Sequence, residues 1–210
     1  MLTWAEYTRF AVALFAILTP FAAIPIFLSL TDRMAPAERA RTARVAGLTV
    51  FSVLLVAAVS GDVVLRTLGT SLDSFRVGGG IVLLLMALSM MSAQVSAVQQ
   101  TPAEAAEAEH RATVGVVPLG LPLLVGPGSI SSVIIEMQRA DTFAHGVTII
   151  AIIAFISAVV WGFLMLAVPI GRRLGIIGLN TLNRLFGLLL AAIAIEIMAT
   201  GLRALFPGLR

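Results

Sequence analysis

Between Phe10 and Leu30 the chain carries no charged side chain, and an apolar run of that length narrows the possible folds more than any other feature. Roughly 20 mostly apolar residues in helical conformation cross the hydrocarbon core of a bilayer. Five further stretches meet the same criterion. They run from after Arg44 to Gly61-Asp62, from after Arg76 to about Ala93 with a polar tail to Gln100, from about Val114 to Ile135, from Gly146 to Val168 and from Leu185 to Leu202. Composition points the same way. Charged residues make up 12% of the chain and hydrophobic ones 59%, whereas soluble domains carry about 25% charge. So few polar side chains cannot cover a water-facing surface. The expectation is an all-α membrane protein of six transmembrane helices forming a single membrane domain over residues 1–210. The flank of the first run holds Glu6 and Arg9 rather than a basic cluster, and Pro20 and Pro25 interrupt it, so it is read as a retained span rather than a cleaved signal.

All 14 cationic residues are Arg, and the net charge is +3. They sit at the ends of spans rather than in one basic patch, which fits a membrane interface and argues against nucleic acid as a partner. Eight of them (Arg33, Arg39, Arg41, Arg44, Arg111, Arg172, Arg173, Arg184) fall on the side of the first, third and fifth links and six on the other. The small excess predicts both termini outside. Cysteine is absent, which excludes disulfides, thiolate metal sites and cysteine nucleophiles.

The two halves of the chain resemble each other. Ala16-Ile-Leu-Thr-Pro20 aligns with Leu123-Leu-Val-Gly-Pro127 at an offset of 107, Arg66-Thr-Leu-Gly69 with Arg172-Arg-Leu-Gly175 at 106, and Arg76 and Gly79 with Arg184 and Gly187 at 108. The acidic segment 101–112, with Glu104, Glu107 and Glu109, lies between them as a connecting loop. Residues 1–100 and 113–210 are therefore read as two repeats of three spans each. An odd number of spans makes the second half enter the membrane from the opposite side, giving inverted repeats of the kind common in secondary transporters.

The first span of each half carries helix-breaking residues at its centre. These are Thr19, Pro20 and Pro25 in the first half, and Gly126, Pro127 and Gly128 followed by Ser129, Ser131 and Ser132 in the second. Proline lacks a backbone donor and glycine permits non-helical dihedrals. One reading is a pair of proline kinks. The other is true unwinding in both halves, with a serine capping the restarted helix. Unwound backbone in hydrocarbon persists only where protein, water or a ligand supplies partners. A half-helix N-terminus attracts an anion, and a half-helix C-terminus offers carbonyls to a cation. A zwitterionic amino acid suits two facing breaks. A metal ion suits them less, because neither break holds a carboxylate.

Two runs, Phe15-Ala-Ile-Leu-Thr-Pro-Phe-Ala-Ala-Ile-Pro-Ile-Phe-Leu-Ser-Leu-Thr31 and Pro122-Leu-Leu-Val-Gly-Pro-Gly-Ser-Ile130, resemble the MarC family of bacterial inner-membrane proteins, as does Leu179-Asn-Thr-Leu-Asn-Arg-Leu-Phe-Gly187. The likeness covers essentially the whole chain, and the Gly-Pro-Gly segment is its most specific part. It implies a six-span, multi-pass protein of the bacterial inner membrane that moves small neutral amino acids such as alanine, glycine or serine. Coupling to a gradient of H+ or Na+ is implied as well, with import or export left open. The family's name comes from a multiple-antibiotic-resistance locus, so export of drugs or other small metabolites is an alternative, and a non-transporting scaffold or channel is another. One departure is Phe21-Ala22-Ala23, where relatives often carry a glycine soon after the first proline.

Glu196 is the one acid well inside an apolar span. It is a candidate for proton coupling or for contact with a substrate amine; alternatively it hydrogen-bonds two helices together. Glu136 and Arg139 are expected at the interface, Arg76 and Arg184 at the starts of the third and sixth spans, and Asn180 and Asn183 as caps of the sixth. Gly78-Gly-Gly80 and Gly187 predict close helix packing. Met86, Met90 and Met91 are expected in ordinary packing, Trp4 and Tyr7 in an interfacial aromatic belt, and Trp161 towards lipid. No HExxH or GxSxG motif is present, and the two histidines, His110 and His145, fall in or beside links, so an enzyme is not expected. No cofactor is expected either.

Overall fold

A computed structural model describes residues 3–31, 34–92, 124–139, 142–206 and 208. Seven helices are present among them: α1 (Trp4–Leu18), α2 (Pro20–Leu30), α3 (Pro36–Thr67), α4 (Leu72–Met91), α5 (Pro127–Met137), α6 (Phe143–Met165) and α7 (Ala167–Leu205). The described residues include no strand. Their starts are set by local chemistry. Glu6 accepts from the Thr3 amide at 2.7 Å and Glu38 from the Ala35 amide at 3.0 Å. Ser71 accepts from the Ser74 amide at 3.1 Å. In each case a side chain satisfies an amide that has no partner within the helix.

Among the described residues, five helical segments are long and apolar enough to cross a membrane: Trp4–Leu28, Pro36–Gly61, Leu72–Met91, Phe143–Met165 and Ile177–Leu205. Of the fourth expected span, Val114 to Ile135, only the part from Leu124 is described, and α5 is an 11-residue helix. The acidic loop 101–112, the tail to Gln100 and His110 lie outside the described residues. Helices extend past the apolar runs at several ends: α3 begins at Pro36 rather than after Arg44. Backbone hydrogen bonding continues wherever φ and ψ allow, and arginine reaches from the helix to the headgroups. Asn180 and Asn183 consequently lie inside α7 and cap nothing; α7 instead bends at Gly175, held at φ 60°.

The outer surface carries many large apolar side chains. Val56, Val59, Phe155, Leu188 and Ile195 are all more than half exposed, an arrangement that only a lipid environment accommodates. Thr49 and Ser60 on these outer faces donate to the carbonyl one turn back, Thr49 to Val45 and Ser60 to Val56, which satisfies those hydroxyls within the helix.

The largest helix–helix interface joins α4 to α7, and α3 pairs with α6. α2 lies on α7 and α6, while α5 lies on α4 and α3. Small residues set the closest approaches. A Cβ on Gly187 would sit 3.0 Å from the Ala87 carbonyl oxygen, and one on Gly201 would sit 2.7 Å from that of Asp73. Gly80 meets Met198 and the Ala194 carbonyl in the same interface, whereas Gly78 has open space around it, so the glycine triplet is not used uniformly. Met86 and Met90 are buried in the α4–α7 core.

Candidate functional site

The first span is interrupted at Thr19. This residue lies in the left-handed region (φ 47°, ψ 50°) and ends α1 by donating its amide to the Ala16 carbonyl at 3.2 Å. Its own carbonyl accepts from Ala22 and Ala23, so α2 restarts at once with Pro20 as its first residue. The carbonyls at the end of α1 are left without intrahelical donors. Pro25 does not form the break. It sits within α2 on an exposed face, where it removes the donor that the Phe21 carbonyl would have had.

The second span is interrupted at Gly126, which is extended (φ −85°, ψ 172°) and precedes Pro127 at the first position of α5. The expected serine cap is not formed. Gly126 occupies the cap, and the Ser129 hydroxyl donates back to the Gly126 carbonyl at 2.9 Å. Proline's fixed φ favours the first helical position and places the glycine before it. Thr19, Pro20, Gly126, Gly128, Ser129, Ser131 and Ser132 are buried, while Pro25 and Pro127 face outward.

The second interruption abuts α4, and the first borders the buried cluster that joins α4 to α7. Ile17, two residues before Thr19, is buried in a cluster with Leu83 and Met86. Gly128 lies against the same pair: a Cβ there would be 2.6 Å from a Leu83 methyl and 3.1 Å from the Met86 sulfur. One turn on, Ser131 fits against Gly79, where an added Cβ would come within 2.8 Å of its own. Ser132 shares the helix face of Gly128 and Glu136, and its hydroxyl is buried with no partner among the described residues.

Two groups around this centre were not legible in the sequence. Phe15, Phe21, Phe163 and Phe186 converge on the first break, with Phe21 stacked on Phe186 at 5.4 Å and edge-on to Phe163 at 5.0 Å. Phe21 thus fills the space beside Pro20. The Asn183 side-chain oxygen, one turn before Phe186, is buried without a partner among the described residues. The second group ties three helices together at the start of α1. Arg139 bridges Glu136 and Glu6, each at 3.0 Å. The His145 Nε2 lies 2.8 Å from the Glu136 carbonyl, and its Nδ1 lies 3.0 Å from the Tyr7 hydroxyl. A carbonyl only accepts, so Nε2 donates to Glu136, and Nδ1 shares the second hydrogen bond with the Tyr7 hydroxyl. Glu136 and His145 are buried rather than being plain interfacial groups. The Glu136–Arg139 pair is local, but Tyr7 and Glu6, which tie this group to α1, lie more than 130 residues away, so no local pattern announces that link.

Glu196 stands apart from both breaks. It was expected inside the bundle, but Leu190, Ala194 and Gly201 turn one face of α7 inward, and the helical period places Glu196 on the outer face. It has no side-chain partner among the described residues. Arg76 pairs with Asp73 at 2.6 Å in the first turns of α4, and Arg184 is exposed.

An interrupted helix at two points of one apolar bundle offers backbone acceptors and donors at depth, together with a few small hydroxyls, and can hold a small polar solute. No solved structure matches the chain. The chain is 38% identical over 203 residues to the UPF0056 membrane protein YhcE of Escherichia coli, covering 97% of this chain and 94% of that protein. It is 34% identical over 192 residues to a UPF0056 membrane protein of Methanocaldococcus jannaschii (91% and 93% covered). It is 32% identical over 199 residues to YvbG of Bacillus subtilis (94% of each). The pattern that defines the MarC family integral membrane proteins matches residues 4–206, and the chain belongs to that family.

Proposed function

We propose that the protein is a secondary transporter of small neutral amino acids in the bacterial inner membrane, driven by an H+ or Na+ gradient, with its substrate held between the two breaks. The observation that carries the reading is the pair of interruptions, at Thr19–Pro20 and at Gly126–Pro127, both bordering the buried core between α4 and α7. At the start of α5 the Ser129 and Ile130 amides already donate to the Gly126 carbonyl, which leaves the Gly128 amide and the helix dipole for a carboxylate, while the end of α1 offers carbonyls to an ammonium.

An inverted duplication with six spans and both termini outside is part of the proposal. Its support is that contacts recur when the halves are exchanged. α4 meets α7 and α3 meets α6, while α2 on α7 has its counterpart in α5 on α4. Gly69 and Gly175, aligned at an offset of 106, are the positive-φ glycines of the described residues, at 66° and 60°. Alternating access would then exchange the environments of the two breaks.

The proposal contains no catalytic step. Its test is uptake of labelled alanine, glycine and serine by proteoliposomes of purified protein, with and without proton and sodium gradients. Saturable, gradient-stimulated flux is expected. Absence of saturable flux for all three, alongside flux of other metabolites or drugs, would redirect the reading to another substrate. Currents far above carrier rates would make it a channel, and no flux at all a scaffold.

A further inference from the structure

An open groove of about 380 Å³ runs along the outside of the bundle between α3 and α6. It lies away from both breaks and plays no part in the transport reading. From α3 it is lined by Arg44, Gly47, Leu48 and Phe51, and from α6 by Ala154, Ser157, Ala158 and Trp161. Each set follows the same spacing of three, one and three residues, so each is one helix face. The helices touch at Gly47, where a Cβ would come within 2.8 Å of the Trp161 Cβ and 3.5 Å of the Ser157 carbonyl. Small residues at the contact hollow out the floor, and Leu48, Phe51 and Trp161 rise as walls.

The groove has a direction. Arg44 is the last charge before the uncharged stretch of α3 that begins at Val45, and it makes no ion pair or hydrogen bond with any described residue. Gly47 and Ser157 lie about 4.5 Å deeper, at 1.5 Å per residue, and Phe51 about 10 Å deeper than Arg44. At the intermediate level the Ser157 hydroxyl is buried, with the residue only 4% exposed, and it has no hydrogen-bond partner among the described residues. A buried donor in hydrocarbon without an acceptor costs free energy. From the interface inward the groove therefore offers a free cation, then an unpaired donor, then an apolar trough. A glycerophospholipid presents phosphate, then ester carbonyl, then acyl chain in the same order.

We propose that this groove is a binding site for an anionic glycerophospholipid, its phosphate on Arg44, an ester carbonyl accepting from Ser157 and an acyl chain along Leu48, Phe51 and Ala154. The cation selects an anionic headgroup over a zwitterionic one.

The chain has two tryptophans, Trp4 and Trp161, so Trp4→Phe leaves one indole, in the wall of the groove. In vesicles of brominated phosphatidylcholine that indole is quenched by lipid in the groove. Replacing part of the lipid with unbrominated phosphatidylglycerol should relieve quenching beyond its mole fraction, with a preference of about fivefold. Arg44→Gln, at an exposed position, should bring the preference near unity without lowering Tm, and Ala158→Phe should abolish it by filling the trough. Equal competition by phosphatidylglycerol and phosphatidylcholine, or a preference unchanged in Arg44→Gln, would overturn the assignment. The absence of native cysteine adds a second arm. Efficient disulfide dimers of Leu48→Cys in the membrane would give the groove to a second copy of the chain instead; no cross-linking is expected.

Discussion

Thr19 is β-branched, yet it is held in the left-handed region at φ 47°, where a residue with a Cβ loses about 1–2 kcal/mol. Thr19→Gly should therefore denature at a higher temperature than Thr19→Ala, by the equivalent of about 1 kcal/mol, in the same detergent. Comparing the two variants cancels the loss of the buried side chain, and equal melting temperatures would show that the left-handed turn is not kept. Arg139 presents a second residue-level test. It is the cation that compensates Glu136, of which only 7% is exposed. Arg139→Gln should cost about 1–3 kcal/mol by leaving a buried carboxylate unpaired. Adding Glu136→Gln should recover much of that loss; an additive double-variant cycle would mean the contact carries no coupling. Proline and glycine announced both breaks because their effect on φ and hydrogen bonding is local. The serine cap failed as an expectation because the proline at 127 already determines which residue precedes the helix.

Helix pairing depends on which glycines face a neighbour, and a triplet such as Gly78-Gly-Gly80 does not reveal that alone. Gly201→Ala should destabilise by about 1–3 kcal/mol, since its Cβ would meet the Asp73 carbonyl at 2.7 Å and backbone cannot step aside cheaply. Gly78→Ala, in open space, should be neutral or stabilising by up to about 1 kcal/mol through helix propensity. Thermal denaturation of the two variants side by side checks the α4–α7 register. A Gly201 variant as stable as the parent would displace α7 from this position. Element identity was readable from the apolar runs. Element ends were less so, because α3 and α7 continue through arginines and asparagines that a hydropathy pattern counts as link.

Across the whole bundle, the Glu6–Arg139–Glu136 bridge and the Tyr7–His145 bond hold the start of α1 to the end of α5 and the start of α6. If transport proceeds by alternating exposure of the breaks, this end must part in one state. The chain contains no native thiols, so Glu6→Cys with Arg139→Cys can be joined by a short bifunctional reagent linked through a cleavable disulfide. Amino acid flux should stop on cross-linking and return on reduction. Flux undiminished by complete cross-linking would remove any gating role from this end.

The sequence alone determined the membrane environment, the helical class and the positions of both interruptions, because each follows from the solvent's demand on the backbone within a few residues. Only the tertiary structure decided that Glu196 faces outward while Glu136 is buried, that four phenylalanines gather at the first break, and that the second break seats on Leu83 and Met86 of α4. Those outcomes depend on helix rotation and on partners far apart in the chain, such as Tyr7 and His145, and a one-dimensional pattern carries no term for either.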